Sequence, residues 1–382
     1  MIQKEINEIR RRLTTDKNCI SKIYGCYVNK NKEIIARIDN SMALMPTADA
    51  EKYLSLFKKT LSGTLGKNLI DIPFSTNQVT DGQEHKLLMK LKDSLLSDEQ
   101  AREKLFQTVI NTVGFGDRSY VILLALDKYD VPFKRSEDDA MGVLEDSASD
   151  TIFTYFLCSI CPVNEGRTEL GYFAKDNEFH SCTSPHIVAS PEIGFLFPAF
   201  DDRRSNIYNA LMYSKDASDS HSEFVDAVFK TEPPMPATEQ KNTFNSILAE
   251  VLDDDCSFDV VQSVHEQIRE RVVEHKETKS KDPLEIGTND VAFILRSNGI
   301  PEEKINGFKQ KCKESFSKNE TLNPNNIIDT NKFEVVTPQV KITVDPEYTY
   351  TLETKIINGR KYILVPAGDG VIVNGVDVNI NE

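Results

Sequence analysis

Two runs in the middle of the chain limit its fold more than any other feature: SYVILLALD, residues 119–127, and TIFTYFLCSICPV, residues 151–163. Both are rich in β-branched and aromatic residues, and neither alternates apolar with polar as a half-exposed strand does. They are therefore expected as central strands covered on both faces. IGFLFPAF, residues 193–200, is expected as another strand. A sheet buried on two faces needs amphipathic helices to cover it, and the flanking sequence supplies them.

Ile2, Ile6, Ile9 and Leu13 recur at helical spacing and put one apolar stripe opposite the charges of the first helix. CISKIYGCYV and EIIARID flank the polar Asn29-Lys30-Asn31-Lys32 and read as two strands joined by a short turn. From about Pro46 to Leu61 a second helix carries Ala50, Tyr53, Leu54, Phe57 and Leu61 on one face, with Gly63 and Gly66 ending it. NLIDIPF reads as a strand, and Ser97 with Gln100 makes a capping-box signature for a helix running to about Val113. The polar, acidic segment 134–150 reads as a surface loop. Residues 1–235 are thus expected to form a mixed α/β body.

After KTEPPMPATEQK the pattern changes. Phe244, Ile247, Leu248 and Val251, then Val260, Val261, Val264, Ile268 and Val272, are helix-period stripes divided by DDDCS, which predicts a helical hairpin. The charged run 274–285 suits a linker or a long exposed helix end, and two shorter helices follow it, one closed by Gly299 and one opened by Pro301. Residues 236–330 form this helical segment. From Lys332 the pattern is β throughout, with Asn358-Gly359, Asp369-Gly370 and Asn374-Gly375 placed as tight hairpin turns. Residues 331–382 are expected as a small antiparallel meander, and the whole chain as α+β.

The length of 382 residues fits two or three domains. No apolar run approaches the roughly 20 residues that span a bilayer. The N-terminal MIQKEINEIRRRL has no apolar core followed by a cleavage site, so no secretory signal is read there. Seven cysteines without a dense framework fit reduced thiols, and together these features place the chain in the cytoplasm. A net charge of −15 disfavours nonspecific nucleic-acid binding over the whole surface. The one basic cluster, Arg10-Arg11-Arg12, reads as a solvated helix face.

Several stretches together, EIRRRL, GCYVN, KKTLSGTLGKNLIDIPFST, EHKLLM, FLFPAFDDR, FVDAVFKTEPPMPA and NGRKYILVPA, carry a family likeness. Over nearly the whole chain the sequence resembles the bacterial domain-of-unknown-function family four-three-one-seven. The resemblance implies no activity, cofactor or catalytic residue, so the chemistry rests on the residues themselves.

Three constellations invite a chemical reading. Gly63-Thr64-Leu65-Gly66-Lys67-Asn68 lacks the glycine spacing and the hydroxyl of a phosphate loop, and helix-ending glycines explain it better. Cys158 and Cys161, with His180, Cys182 and His186, could be drawn as a zinc site. A strand through FLCSIC would send residues three apart to opposite faces, so both thiols are expected as buried apolar groups and no metal site is assigned.

The third constellation is FPAFDDRRSN, where Asp201, Asp202, Arg203, Arg204 and Asn206 emerge at the end of a buried strand, as ligand groups do in α/β sheets. Asp202 could act as a base or hold a metal, and Arg203 or Arg204 could grip an anion. The structural reading has Asp201 or Asp202 capping a helix IYNALMYS, with the arginines paired to nearby acids. The chain is read as a multidomain binding protein with a protein partner and an unassigned ligand and cofactor. A metal-dependent hydrolase or phosphoryl-transfer enzyme at Asp201–Arg204 is the first alternative. An RNA- or translation-associated protein, needing Arg10-Arg11-Arg12 within a larger basic patch, is the second.

Overall fold

The computed structural model describes residues 1–132, 152–166, 168–232, 235–278, 284–316, 321–330, 332–367, 371–373 and 375–378. The expected loop at 134–150 lies outside them, as do most of the second half of the 274–285 run, Asp369-Gly370 and Asn374. The fold is α+β, with 40% of the described residues in helix and 31% in strand. The chain divides into two compact units, Met1–Pro236 and Ala237–Glu382.

The first unit is built on an antiparallel sheet. Its strands lie side by side in the order Ile34–Ser41, Lys22–Val28, Ser119–Asp130, Ile152–Asn164, Ile193–Phe197, Asn209–Ser214 and Leu69–Pro73. The two long apolar runs are the central pair, in register from Ser119 opposite Val163 to Asp130 opposite Ile152. Their continuous apolarity has a direct cause, since helices cover both faces. On one face Leu88, Leu105, Phe106, Phe224 and Phe229 pack onto Ile122, Leu124, Phe156 and Phe195. On the other, Ile6, Ile9, Leu54 and Phe57 pack onto Val121, Leu123, Tyr155 and Leu157. The helices supplying these residues include Gln3–Arg12, Thr47–Thr60, Gln83–Asp93, Glu99–Thr112 and Ser222–Phe229. Gly25 is required where two strands meet, because a Cβ there would stand 2.3 Å from the carbonyl oxygen of Ile122.

Three local expectations change. IYNALMYS is not a helix: Asn209–Ser214 is a buried strand paired on both sides, with Leu211 opposite both Asp71 and Leu196. Its alanine, leucine and methionine favour a helix, but two neighbouring strands and burial on both faces outweigh that weak local preference. The helix after Ser97 is capped by Asp98, whose carboxylate accepts from the Ala101 N–H at 2.8 Å; Ser97 instead donates to the Ser94 carbonyl. Arg12 does not lie on a solvated face, as shown below.

In the second unit, both expected helices form, as Ala237–Leu252 and Phe258–Glu277 joined through the 3-10 turn Asp253–Asp255, but they do not close on each other as a hairpin: the first packs against Glu302–Ser315 and the second against Thr288–Ser297. Thr288–Ser297 and Glu302–Ser315 follow, and Gly299 takes φ 79 just past the first of them. Their shared core holds Phe244, Leu248, Val264, Ile268, Leu295 and Phe308. The C-terminal strands pair only within hairpins: Phe333–Val336 with Lys341–Val344, Glu353–Ile357 with Arg360–Leu364, and Val371–Val373 with Val376–Val378. Among the described residues no ladder joins one hairpin to the next, so the single expected meander is three separate ribbons. Phe333 anchors the first of them to the helix Phe258–Glu277, edge-on to Phe258 and His265.

Candidate functional site

The stretch 201–206 folds as a hairpin turn. Ala199–Asp201 pairs with Arg204–Asn206, and the turn residues Asp202 and Arg203 have φ 46 and 58. That left-handed geometry suits a two-residue hairpin connection, though neither residue is glycine. The polar groups around it hold the turn. Arg203 donates to both oxygens of Glu8 at 2.8 Å and to the Pro132 carbonyl at 3.0 Å, while its backbone N–H reaches Glu5 at 3.3 Å. Asn206 donates to Asp201 at 3.0 Å and accepts from the Tyr208 N–H at 2.9 Å. Arg204 is exposed, and with no helix at 207–214 neither aspartate is a cap. The five candidate residues thus lie together, and Arg203 and Asn206 are committed to neighbouring carboxylates.

The same helix is tied down further along. Arg12 donates to the buried carboxylate of Asp127 at 3.4 Å and lies 4.2 Å over the ring of Tyr129. Asp127 also accepts from the Cys19 N–H at 2.7 Å and the Tyr155 hydroxyl at 2.8 Å. Burial, reinforced by the Asp127 charge, pushes the Tyr155 phenol well above its ordinary range. The Arg10-Arg11-Arg12 cluster therefore has one member turned inward to an acid.

Cys158 belongs to one face of the sheet and Cys161 to the other. Burial pushes the Cys161 thiol up to about 12 and the Cys158 thiol higher still. His180 and Cys182 sit on the separate hairpin of Thr168–Phe173 with Glu178–Thr183, and the His186 ring lies near Tyr27. Among the described residues no group of three or more His, Cys, Asp or Glu side chains is placed to hold a metal ion.

One arrangement has the contacts of a hydrolase triad. The Ser214 hydroxyl lies 3.1 Å from His221 Nε2, and His221 Nδ1 lies 3.1 Å from Asp219. Ser214 is wholly buried, however, and its hydroxyl donates to the Asp216 carbonyl at 2.6 Å. A nucleophile needs access to substrate, so these bonds close the 214–221 loop instead. Beside it runs a cleft of about 470 Å³ whose one arginine, Arg118, is engaged by both oxygens of Glu192.

The second unit offers a different surface. A groove of about 810 Å³ is lined by Phe258, by Val340 and Ile342 of the first C-terminal ribbon, and by Ile356, Tyr362 and Ile363 of the second. Ile356 is 72% exposed and Tyr362 42%, so apolar side chains stand in water around a concave space. The turn Asn358-Gly359, at φ 52 and 78, sets the register of the second ribbon, with Ile357 opposite Arg360 and Ile356 opposite Lys361. The turn was expected from sequence, but none of the side chains lining the groove was singled out there. The available signal was the apolar content of YTLETKII and RKYILVPA, too high for ribbons with nothing to cover them.

No curated protein matches the sequence. A family match covers residues 1–376, taking in both compact units and the groove, and the chain belongs to the family described as Domain of unknown function (DUF4317).

Proposed function

We propose that the chain is a protein-binding module that takes an extended polypeptide segment of a partner into the groove of its C-terminal ribbons. The observation that carries this reading is the ribbon 353–364, which pairs with no other strand among the described residues while exposing Ile356 and Tyr362 to the groove. A two-stranded ribbon is marginally stable alone, and an open edge is a template for another strand. A partner segment supplies the missing strand by backbone pairing, and the apolar side chains select what it carries. In this reading the body 1–235 is the scaffold, the helical segment 236–330 the platform and residues 331–382 the reader. Seven unpaired cysteines support a cytoplasmic setting.

Selection of a random peptide library on the full chain tests the proposal. Peptides enriched on the wild type are expected to bind at least about tenfold more weakly to the variant Ile356→Asp with Tyr362→Asp. No enrichment, or equal enrichment on both proteins, overturns it.

A further inference from the structure

We infer that the segment taken up carries two adjacent acidic residues adjoining a short apolar run, and that it adds as a strand along the outer edge of Arg360–Leu364. The inference rests on the binding reading above and specifies its edge and its chemistry.

The edge follows from the turn. In a two-residue hairpin the pair flanking the turn exchanges both its hydrogen bonds, and bonded and non-bonded pairs alternate from there. Ile357 and Arg360 flank this turn, so Lys355 with Tyr362 is the next bonded pair, while Ile356 with Lys361 and Thr354 with Ile363 are non-bonded. The backbone N–H and C=O groups of Lys361 and Ile363 therefore point outward. They meet no other backbone partner among the described residues. Lys361 and Ile363 line the groove, as do Thr354 and Ile356, whose open groups lie on the other edge of the ribbon.

Charge chooses between the two edges. On the strand Glu353–Ile357 the one cation, Lys355, is paired with Glu353 at 2.7 Å. On the strand Arg360–Leu364 neither Arg360 nor Lys361 has an ion pair among the described residues. These cations are neighbours in sequence, so they project to opposite faces at the same end of the strand, and Tyr362, Ile363 and Leu364 fill the other end. A strand laid beside this one meets a cation on each face at one end and apolar side chains at the other. Adjacent carboxylates answer the first and β-branched or aromatic residues the second, since cross-strand pairs of opposite charge and of apolar type stabilise a ladder. On a chain of net charge −15, this unpaired basic end favours an acidic partner locally.

The test uses fluorescein-labelled peptides with three apolar residues (Val-Tyr-Val) joined to Glu-Asp, or to Lys-Lys, in both orders, on the full chain. The wild type is expected to bind one Glu-Asp peptide at least about tenfold more tightly than its Lys-Lys counterpart. The double variant Arg360→Glu, Lys361→Glu is expected to reverse that preference. Methylating alternate backbone nitrogens of the preferred peptide should abolish binding in one of the two registers and spare it in the other. If the library selects peptides that are not acidic, or that ignore the charge reversal or tolerate both methylation registers, this inference fails while the binding reading stands. If no peptide binds, both fail. Dimerisation of the chain that is lost in the charge-reversed variant would make a second copy the occupant and overturn the inference.

Discussion

Arg203 holds both carboxylate oxygens of Glu8 at 2.8 Å across 195 residues of chain. The pair ties a hairpin turn at one end of the sheet to the first helix, and it does so from a backbone position in the left-handed region. A non-glycine residue there costs roughly 1–2 kcal/mol, which the bidentate pair and the bonds to Pro132 and Glu5 offset.

Arg203→Ala keeps the unfavourable backbone and loses the side-chain bonds, so it is expected to destabilise the first unit by about 1.5–3 kcal/mol. Arg203→Gly loses the same bonds but relieves the backbone, and should be roughly 1 kcal/mol less costly. Urea unfolding of the two variants checks the order. Equal losses would mean that φ 58 carries no strain.

Asp127 is 1% exposed and accepts from Arg12, the Cys19 and Lys128 N–H groups and the Tyr155 hydroxyl. Asp127→Ala leaves a half-buried cation, a buried phenol and backbone donors without their acceptor, and is expected to cost about 3–5 kcal/mol. Arg12→Met leaves the carboxylate three other donors and should cost about 1–2 kcal/mol. Thermal unfolding should rank them in that order, and a milder effect at Asp127 would refute the network.

Burial holds the His221 imidazole below its ordinary value of 6.5, against the opposing charges of Asp219, Asp216 and Glu192. His265 is lowered for the same first reason, against its bond to the Asp329 carbonyl. A lowered histidine binds its proton more readily in the unfolded chain. Stability from both is therefore complete above 6.5 and declines as pH falls from there towards the folded-state values. Urea midpoints measured downward from pH 7.5 should fall less steeply in His221→Gln and His265→Gln than in the wild type. Parallel curves would contradict the assignment.

Cys26, Cys158, Cys161 and Cys312 are buried, and burial raises all four thiols. Iodoacetamide at pH 8 is expected to label Cys19 and Cys182 in the native protein, Cys256 more slowly because partial burial raises its thiol as well, and the four buried thiols only after unfolding. Peptide mass mapping reads the pattern. Native labelling of Cys158 or Cys161 would show that the sheet opens.

Where side-chain periodicity reported burial directly, sequence reading and structure agree. Ile6 and Ile9, then Val260, Val264 and Ile268, and the runs at 119–127 and 153–163 occupy the faces their spacing implied, while Val261 of the same stripe is exposed. The same rule separated Cys158 from Cys161, since three residues along a strand reverse the side chain. Asn358-Gly359 marked its turn because glycine and asparagine are the residues that accept positive φ cheaply.

The local order of residues by itself determined the helices with strong apolar stripes, the buried strands, the two-residue turn and the α+β class. Only tertiary structure decided that NALMYS is a strand, because its neighbours Ile193–Phe197 and Leu69–Pro73 supply hydrogen bonds that its own sequence cannot announce. Tertiary structure likewise decided what surrounds Asp201–Asn206, since Glu5, Glu8 and Pro132, which Arg203 contacts, are distant in the chain. The groove depended on it too: whether Ile356 and Tyr362 are covered is a question of which strands pair, and pairing is set by long-range contacts.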